Sequence, residues 1–227
     1  MKLEKVTAKA GRKYHDACGA AHGLDLIGER WALLVMRELM FGPRRFGDLK
    51  KDLCGLSANV LTQRLEGLEA SGIVRRRKLP PPASVQVYEL TDWGRELKPL
   101  YALLGRWAAR SPTHDPTLPL SPVSVVMSLE TMFDAEKAGD ADMDLGLAFG
   151  DETFRIRIRA GVLDAERAPV EGAQAVIATQ PPVLAGAVYG GQPFEALEAA
   201  GVLALAGDRA LAERFVAFFD LPPKVEA

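Results

Sequence analysis

The sequence is poor in cysteine and histidine. Two cysteines, Cys18 and Cys54, are too few for a disulfide framework, which agrees with a reducing compartment. The three histidines, His15, His22 and His114, show no ligand spacing with the cysteines that would make a zinc site. No metal is expected. There is no apolar run of membrane-spanning length, and the basic N-terminus lacks an apolar signal-peptide core. The expectation is a cytoplasmic protein with no membrane partner. No nucleophile–base pair or phosphate loop is visible, so neither a catalytic residue nor a cofactor is expected. Internal repeats are absent, and Pro80-Pro81-Pro82 is too short to be a low-complexity tract.

What is present suits one large domain or two small ones: 227 residues, 48% hydrophobic and 26% charged. The net charge of −2 hides an asymmetry. Residues 1–110 carry 20 Lys+Arg against 12 Asp+Glu (+8), and residues 111–227 carry 8 against 18 (−10). A basic half contributes to counterion release on DNA, and an acidic half is repelled by phosphate. The sign changes near RSPTHDPTLPLSP, where four prolines in thirteen residues disfavour regular structure. We therefore expect an α+β chain of two domains, residues 1–110 and 123–227, joined by a linker at 111–122.

In the first half, Leu24, Ile27, Trp31, Leu34, Val35 and Leu39 recur at helical spacing, and Phe41-Gly42-Pro43 ends that helix. Arg45 to Leu53 fits a short helix, Cys54-Gly55-Leu56 a turn, and Ser57 an N-cap. The next helix, Ser57–Ala70, turns Ala58, Leu61, Leu65 and Leu68 to one side, and Gly72 closes it. Residues 73–77 and 85–90 read as strands around a proline-rich tip. One long helix follows from Thr91 or Asp92, carrying Leu100, Leu103, Leu104 and Trp107. Helix, turn, helix and β-ribbon in that order make a winged helix-turn-helix, a device for placing a helix in the major groove of DNA.

The chemistry of that placement selects residues. With the leucines inward, Asn59, Thr62 and Gln63 face outward near the N-terminal end. Asn and Gln bond adenine bidentately, and Thr reaches bases or phosphates. Arg64, beside the apolar face, is expected on phosphate, as are Arg44 and Arg45 at the start of the preceding helix. Arg75, Arg77 and Lys78 run into the wing, where basic side chains gain from minor-groove potential. Arg76 points to the other face.

Cys18 followed by LDLIGERWALLVMREL, then GPRRFGDL, LSANVLTQRLEGLEASGIVRR and VYELTDWGREL, resembles the HxlR-type winged-helix transcription regulators across residues 14–110. The resemblance implies a homodimer on paired half-sites of double-stranded DNA. It places the dimer interface on the segment Cys18 to Trp31 and on the helix with Leu100, Leu104 and Trp107. Glu29 stands where that family usually has Gly, which leaves the reading helix as expected. The resemblance also makes Cys18 a candidate redox sensor, with Arg12, Lys13, His15 and His22 near in sequence to favour the thiolate. The alternative is a small residue packed at an interface. Cys54 is expected to be plain packing.

The second half reads as a smaller α+β domain. Ser121-Pro122 starts a helix. Residues 143–149 and 154–159 alternate as strands around Gly150-Asp151, which pairs Phe149 with Glu152, Asp144 with Arg157 and Asp142 with Arg159. That arithmetic makes the arginine row an ordinary sheet face rather than an anion site. A further strand at 175–178, helices at 182–189 and 193–200, a short strand at 202–205 and a last helix capped by Asp208 complete the pattern. The segments ADMDLGLAFGDETFRIRI and GGQPFEALEAAGVLALAGDRALAERFVAFF resemble the sterol-carrier-protein-2-like fold. That resemblance implies an apolar effector held among Met127, Phe133, Phe154, Tyr189 and Phe215, residues that equally suit a core. The rival to a regulator is a lipid or small-molecule carrier whose first domain only dimerises. An enzyme on the second domain is the weakest reading.

Overall fold

The computed structural model describes residues 13–226. The chain begins with α1 (Gly19–Ile27) and α2 (Ala32–Glu38). The periodicity over 24–39 predicts one helix, but the chain breaks at residues 28–31, where Trp31 takes φ +80°. For a bulky L-residue this left-handed conformation is strained, at a cost of about 1–3 kcal/mol. The break separates α1, which buries no residue and only rests Leu26 and Ile27 on the body beside α4, from α2, whose Ala32, Val35, Met36 and Glu38 are buried.

Next come α3 (Phe46–Asp52) and α4 (Ala58–Ala70). The Val60 N–H donates to Ser57 Oγ (3.3 Å), the expected N-cap. Leu61, Leu65 and Leu68 are buried as expected, but Ala58 is exposed. At the other end Gly72 sits at φ +73°. Its N–H donates to Glu69 O and that of Ile73 to Leu68 O, closing a Schellman motif. β1 (Val74–Lys78) and β2 (Gln86–Leu90) pair antiparallel, Arg75 opposite Glu89 and Arg77 opposite Val87. The predicted long helix is again two, α5 (Asp92–Arg95) and α6 (Lys98–Ala109).

The second half starts at α7 (Pro122–Met132). Ser121 Oγ accepts from the Ser124 N–H (3.0 Å), with Pro122 at the first helical position. After α8 (Ala135–Ala138) come β3 (Met143–Phe149), β4 (Glu152–Arg159), β5 (Val162–Glu166) and β6 (Ala175–Thr179). The chain then forms α9 (Pro181–Gly190), α10 (Phe194–Ala199), β7 (Leu203–Gly207) and α11 (Arg209–Val216). The sheet order is β5-β4-β3-β6-β7, with only β3 and β6 parallel. The hairpin register pairs Phe149 with Glu152 and Asp144 with Arg157, as the turn predicts. Its polar face is less solvated than expected. Arg155 is buried, hydrogen-bonded to Asp144 and, at 2.8 Å, to Glu171 O.

Two hydrophobic clusters result. One gathers α2, α3, α4, β1 and β2, and the other gathers the sheet with α7, α9, α10 and α11. They are not separate bodies on a string. Met40 and Tyr101 pack against both, and the Phe41 ring meets Phe154 edge-on at 5.5 Å. Tyr101 O–H donates to Leu33 O (2.8 Å), Lys98 pairs with Glu130 (2.7 Å), and α6 lies along α7. The tail returns as well, Lys224 Nζ donating to Ala109 O and Ser111 O at 3.0 Å each.

Candidate nucleic-acid interface

The exposed side of α4 carries the features a DNA reader needs. Asn59, Thr62 and Gln63 are all exposed, as is Ser57. Thr62 Oγ1 donates to Ala58 O (3.0 Å) and keeps its lone pairs free to accept. Among the described residues, the Asn59 and Gln63 amides make no side-chain hydrogen bond to the protein. Amides of that kind are available to base edges. Arg45 is exposed at the N-cap of α3, its backbone N–H donating to Asp48 Oδ2 (3.3 Å).

The wing is basic but partly self-neutralised. Arg75 Nε donates to Glu89 Oε1 (2.7 Å) and Arg77 Nη2 to Oε2 (3.1 Å). Burial would raise the Glu89 carboxyl, yet the bonds from Arg77 and Arg75 outweigh it and hold the group below the usual range. Arg76 pairs with Glu69 on α4 (2.6 Å), tying ribbon to helix. Lys78 is exposed at the end of β1.

Two assignments need correction. Arg44, expected on phosphate, is 7% exposed and points inward. Its guanidinium bonds Asp52 and, at 2.6 Å, Glu152 of the β3–β4 hairpin. Its backbone pairs with Tyr88, making it a one-residue extension of the ribbon. Burial pushes the Asp52 carboxyl up despite Arg44. Glu152, buried as well, is held down by hydrogen bonds from Arg44 and Arg167. No side chain sealed this way reaches DNA. Second, Glu29 is not neutral toward the reading helix. It pairs with Arg64 at 3.2 Å, so the carboxylate that replaces the usual glycine binds the arginine expected on phosphate.

Other expectations also shift. Cys18 is exposed at the N-cap of α1, and hydrogen bonds from the Ala20 and Ala21 N–H groups lower its thiol pKa. The N–H groups of the helix start do this, and none of Lys13, His15 and His22 contributes. Arg12 lies outside the described residues. Cys54, expected to be packed, is exposed. Met127, Phe154 and Phe215 are core, and Phe133 and Tyr189 are half-buried. Phe215 stacks edge-on against Phe219 (4.9 Å), and Tyr189 Oη and Ser128 Oγ share a hydrogen bond at 2.7 Å. These five pack against their neighbours, and none of them lines the cavity between the halves or the one beside β6 and β7. The cavity that sequence reasoning missed lies between the halves.

Residues 26–115 match the family model described as HxlR-like helix-turn-helix. YvaP of Bacillus subtilis, an uncharacterized HTH-type transcriptional regulator, is 35% identical over 85 residues, which span 37% of this chain and 79% of YvaP. This chain belongs to the HxlR-like helix-turn-helix family. Among the other relatives of this HxlR-type chain, YodB of the same organism is 35% identical across 75% of its length. The Synechocystis regulator sll1512 is 42% identical, the match spanning 37% of this chain and 62% of sll1512. Residues 117–225 match a second model, described as alkyl sulfatase C-terminal. Solved structures with local likeness include the reduced form of YodB from B. subtilis (30% identity, 44% of this chain and all of YodB, TM-score 0.39). The sec-alkylsulfatase Pisa1 from Pseudomonas also matches (23% identity, 48% of this chain and 18% of Pisa1, TM-score 0.43).

Proposed function

We propose that this HxlR-type protein is a sequence-specific transcription regulator that binds double-stranded DNA as a homodimer, α4 of each protomer in a major groove. One observation carries the reading: Asn59, Thr62 and Gln63 are exposed on α4, the Asn59 and Gln63 amides are unbonded among the described residues, and Arg45, Arg75, Arg77 and Lys78 on the neighbouring α3 and β1 are exposed as well. The partner copy is inferred from α6. Leu100, Leu103, Leu104 and Trp107 recur at helical spacing and stay exposed, Leu103 at 70% and Trp107 at 73%. An apolar stripe left open on a helix marks an interaction surface; Leu24 of α1 and Tyr14 before it are exposed apolar residues too. Half-sites then lie about 34–36 Å apart or at a multiple of it.

The second half is read as a regulatory unit rather than a catalytic one. Its charged side chains are largely committed to one another, Arg155 to Asp144, Arg167 to Glu152 and Arg209 to Glu195, Glu198 and Glu213. The likeness to sterol-carrier-protein-2-like folds is supported by a five-stranded sheet packed with α7, α9 and α11 in one apolar cluster. The test is a gel shift on the gene's own upstream duplex and on random duplex at two salt concentrations. Retardation that prefers the upstream duplex and weakens with salt is expected. Equal or no retardation of both would favour the carrier instead.

A further inference from the structure

A cavity of about 350 Å³ opens between the two halves. Its walls are Trp31 and Leu34 from the first half, Phe149 and Glu152 from the β3–β4 hairpin, Leu120 and Ser121 from the connection, and Lys51, Asp52 and Cys54 from the end of α3 and the turn after it. This volume falls in the range of small-molecule sites. Three observations indicate what it accepts.

Trp31 is the first. It is held at φ +80° in a conformation that bulky residues avoid, and its ring lies in the cavity wall. A backbone outlier that persists against its own strain occurs preferentially at ligand sites. Phe149, 7% exposed and edge-on to Phe154 at 6.2 Å, adds apolar wall beside it, so the apolar part of the site suits a flat ring system.

Charge is the second. The carboxylates Asp52 and Glu152 are already held by Arg44, and Glu152 also by Arg167. Lys51 forms no ion pair among the described residues. Arg37 spends Nε and Nη2 on one oxygen of Glu38 and keeps Nη1. The remaining acidic group of the lining, Asp151, is exposed at the hairpin turn.

The third lies just behind the wall. Glu38 is fully buried, and its Oε1 accepts from Arg37 and from Ser121 Oγ (2.8 Å), both of which line the cavity. Its Oε2 has no partner. Burial pushes this carboxyl up, and Arg37, held through Nε and Nη2, keeps Nη1 toward the cavity it lines.

We propose that the cavity between the halves is a ligand site for a small ring-bearing molecule with one anionic group, the rings on Trp31 and Phe149 and the anion on Lys51 and Arg37. Such a ligand touches both halves at once. If this chain is the regulator argued above, the site is where an effector acts, but the binding test does not need DNA.

The probes are 1-anilinonaphthalene-8-sulfonate and its uncharged counterpart N-phenyl-1-naphthylamine, titrated into the full-length protein and read by fluorescence. With the indole nitrogens labelled, the same titration reads the three tryptophans by NMR. The sulfonate is expected to bind once per chain, at least ten-fold tighter than the neutral probe, and to shift the Trp31 indole signal. Lys51→Glu should abolish the preference for the sulfonate, while Lys50→Glu, outside the lining, should keep it. Leu34→Trp, which fills the cavity, should remove binding of both probes. The proposal is overturned if Leu34→Trp leaves binding intact, if Lys50→Glu and Lys51→Glu act alike, or if the signal that moves belongs to Trp93 or Trp107 alone.

Discussion

At the scale of single residues, the reading side chains and the structural ones separate by what they already touch. Gln63 and Asn59 make no side-chain hydrogen bond among the described residues, so their amides are free for the base contacts proposed above. Gln63→Ala is expected to cost about 1–3 kcal/mol on the specific duplex and almost nothing on random duplex, read by competition gel shift. Arg44 behaves oppositely. Removing it leaves the half-buried Asp52 without its cation and Glu152 with Arg167 alone. Arg44→Ala should therefore destabilise the fold by about 3–5 kcal/mol in urea denaturation, with its effect on DNA following from unfolding. Glu38 gives a pH dependence. Its folded pKa is raised by burial, so its contribution is fully present below the unfolded value and is lost as pH rises through the folded one. Glu38→Gln should raise the melting temperature more at pH 7 than at pH 4. A constant difference across that range would refute the assignment.

At the scale of elements, local pattern located most helices and strands, because their determinants lie within a few residues. The cap at Ser57, the Schellman turn at Gly72 and the hairpin register at residues 150–151 are local hydrogen-bond and φ requirements. The misses are also physical. Helical spacing continues across residues 28–31 and 96–97, but the chain breaks at both places: α1 packs only Leu26 and Ile27 on the cluster in which α2 is buried, and α6 departs from α5 to lie along α7. β5 leaves no clear local pattern, because it is an edge strand whose alternation is short and half-exposed. α6 carries its own prediction. With Leu103 and Trp107 exposed on one protomer, Leu103→Asp with Trp107→Asp should yield a folded monomer by light scattering and circular dichroism. A dimer that survives both changes would move the interface elsewhere.

At the scale of the whole molecule, the halves are coupled by contacts that a proline-rich connection does not suggest. Arg44 meets Glu152 across 108 residues of chain, Ser121 anchors Glu38, and Phe41 sits on Phe154. Heating should accordingly give one calorimetric transition. Glu152→Ala combined with Phe41→Ala should split it into two, because each half retains its own apolar cluster.

The order of residues alone determined the winged helix-turn-helix, its outward Asn-Thr-Gln face and the sheet hairpin, since each depends on spacing along a short stretch of chain. Tertiary structure alone decided that Arg44 serves the fold, that Arg64 answers Glu29, that the aromatic residues of the second half are core, and that the cavity lies between the halves. The reason is that burial and ion pairing depend on which distant segments meet, and a buried charge takes whatever opposite charge the fold brings within reach.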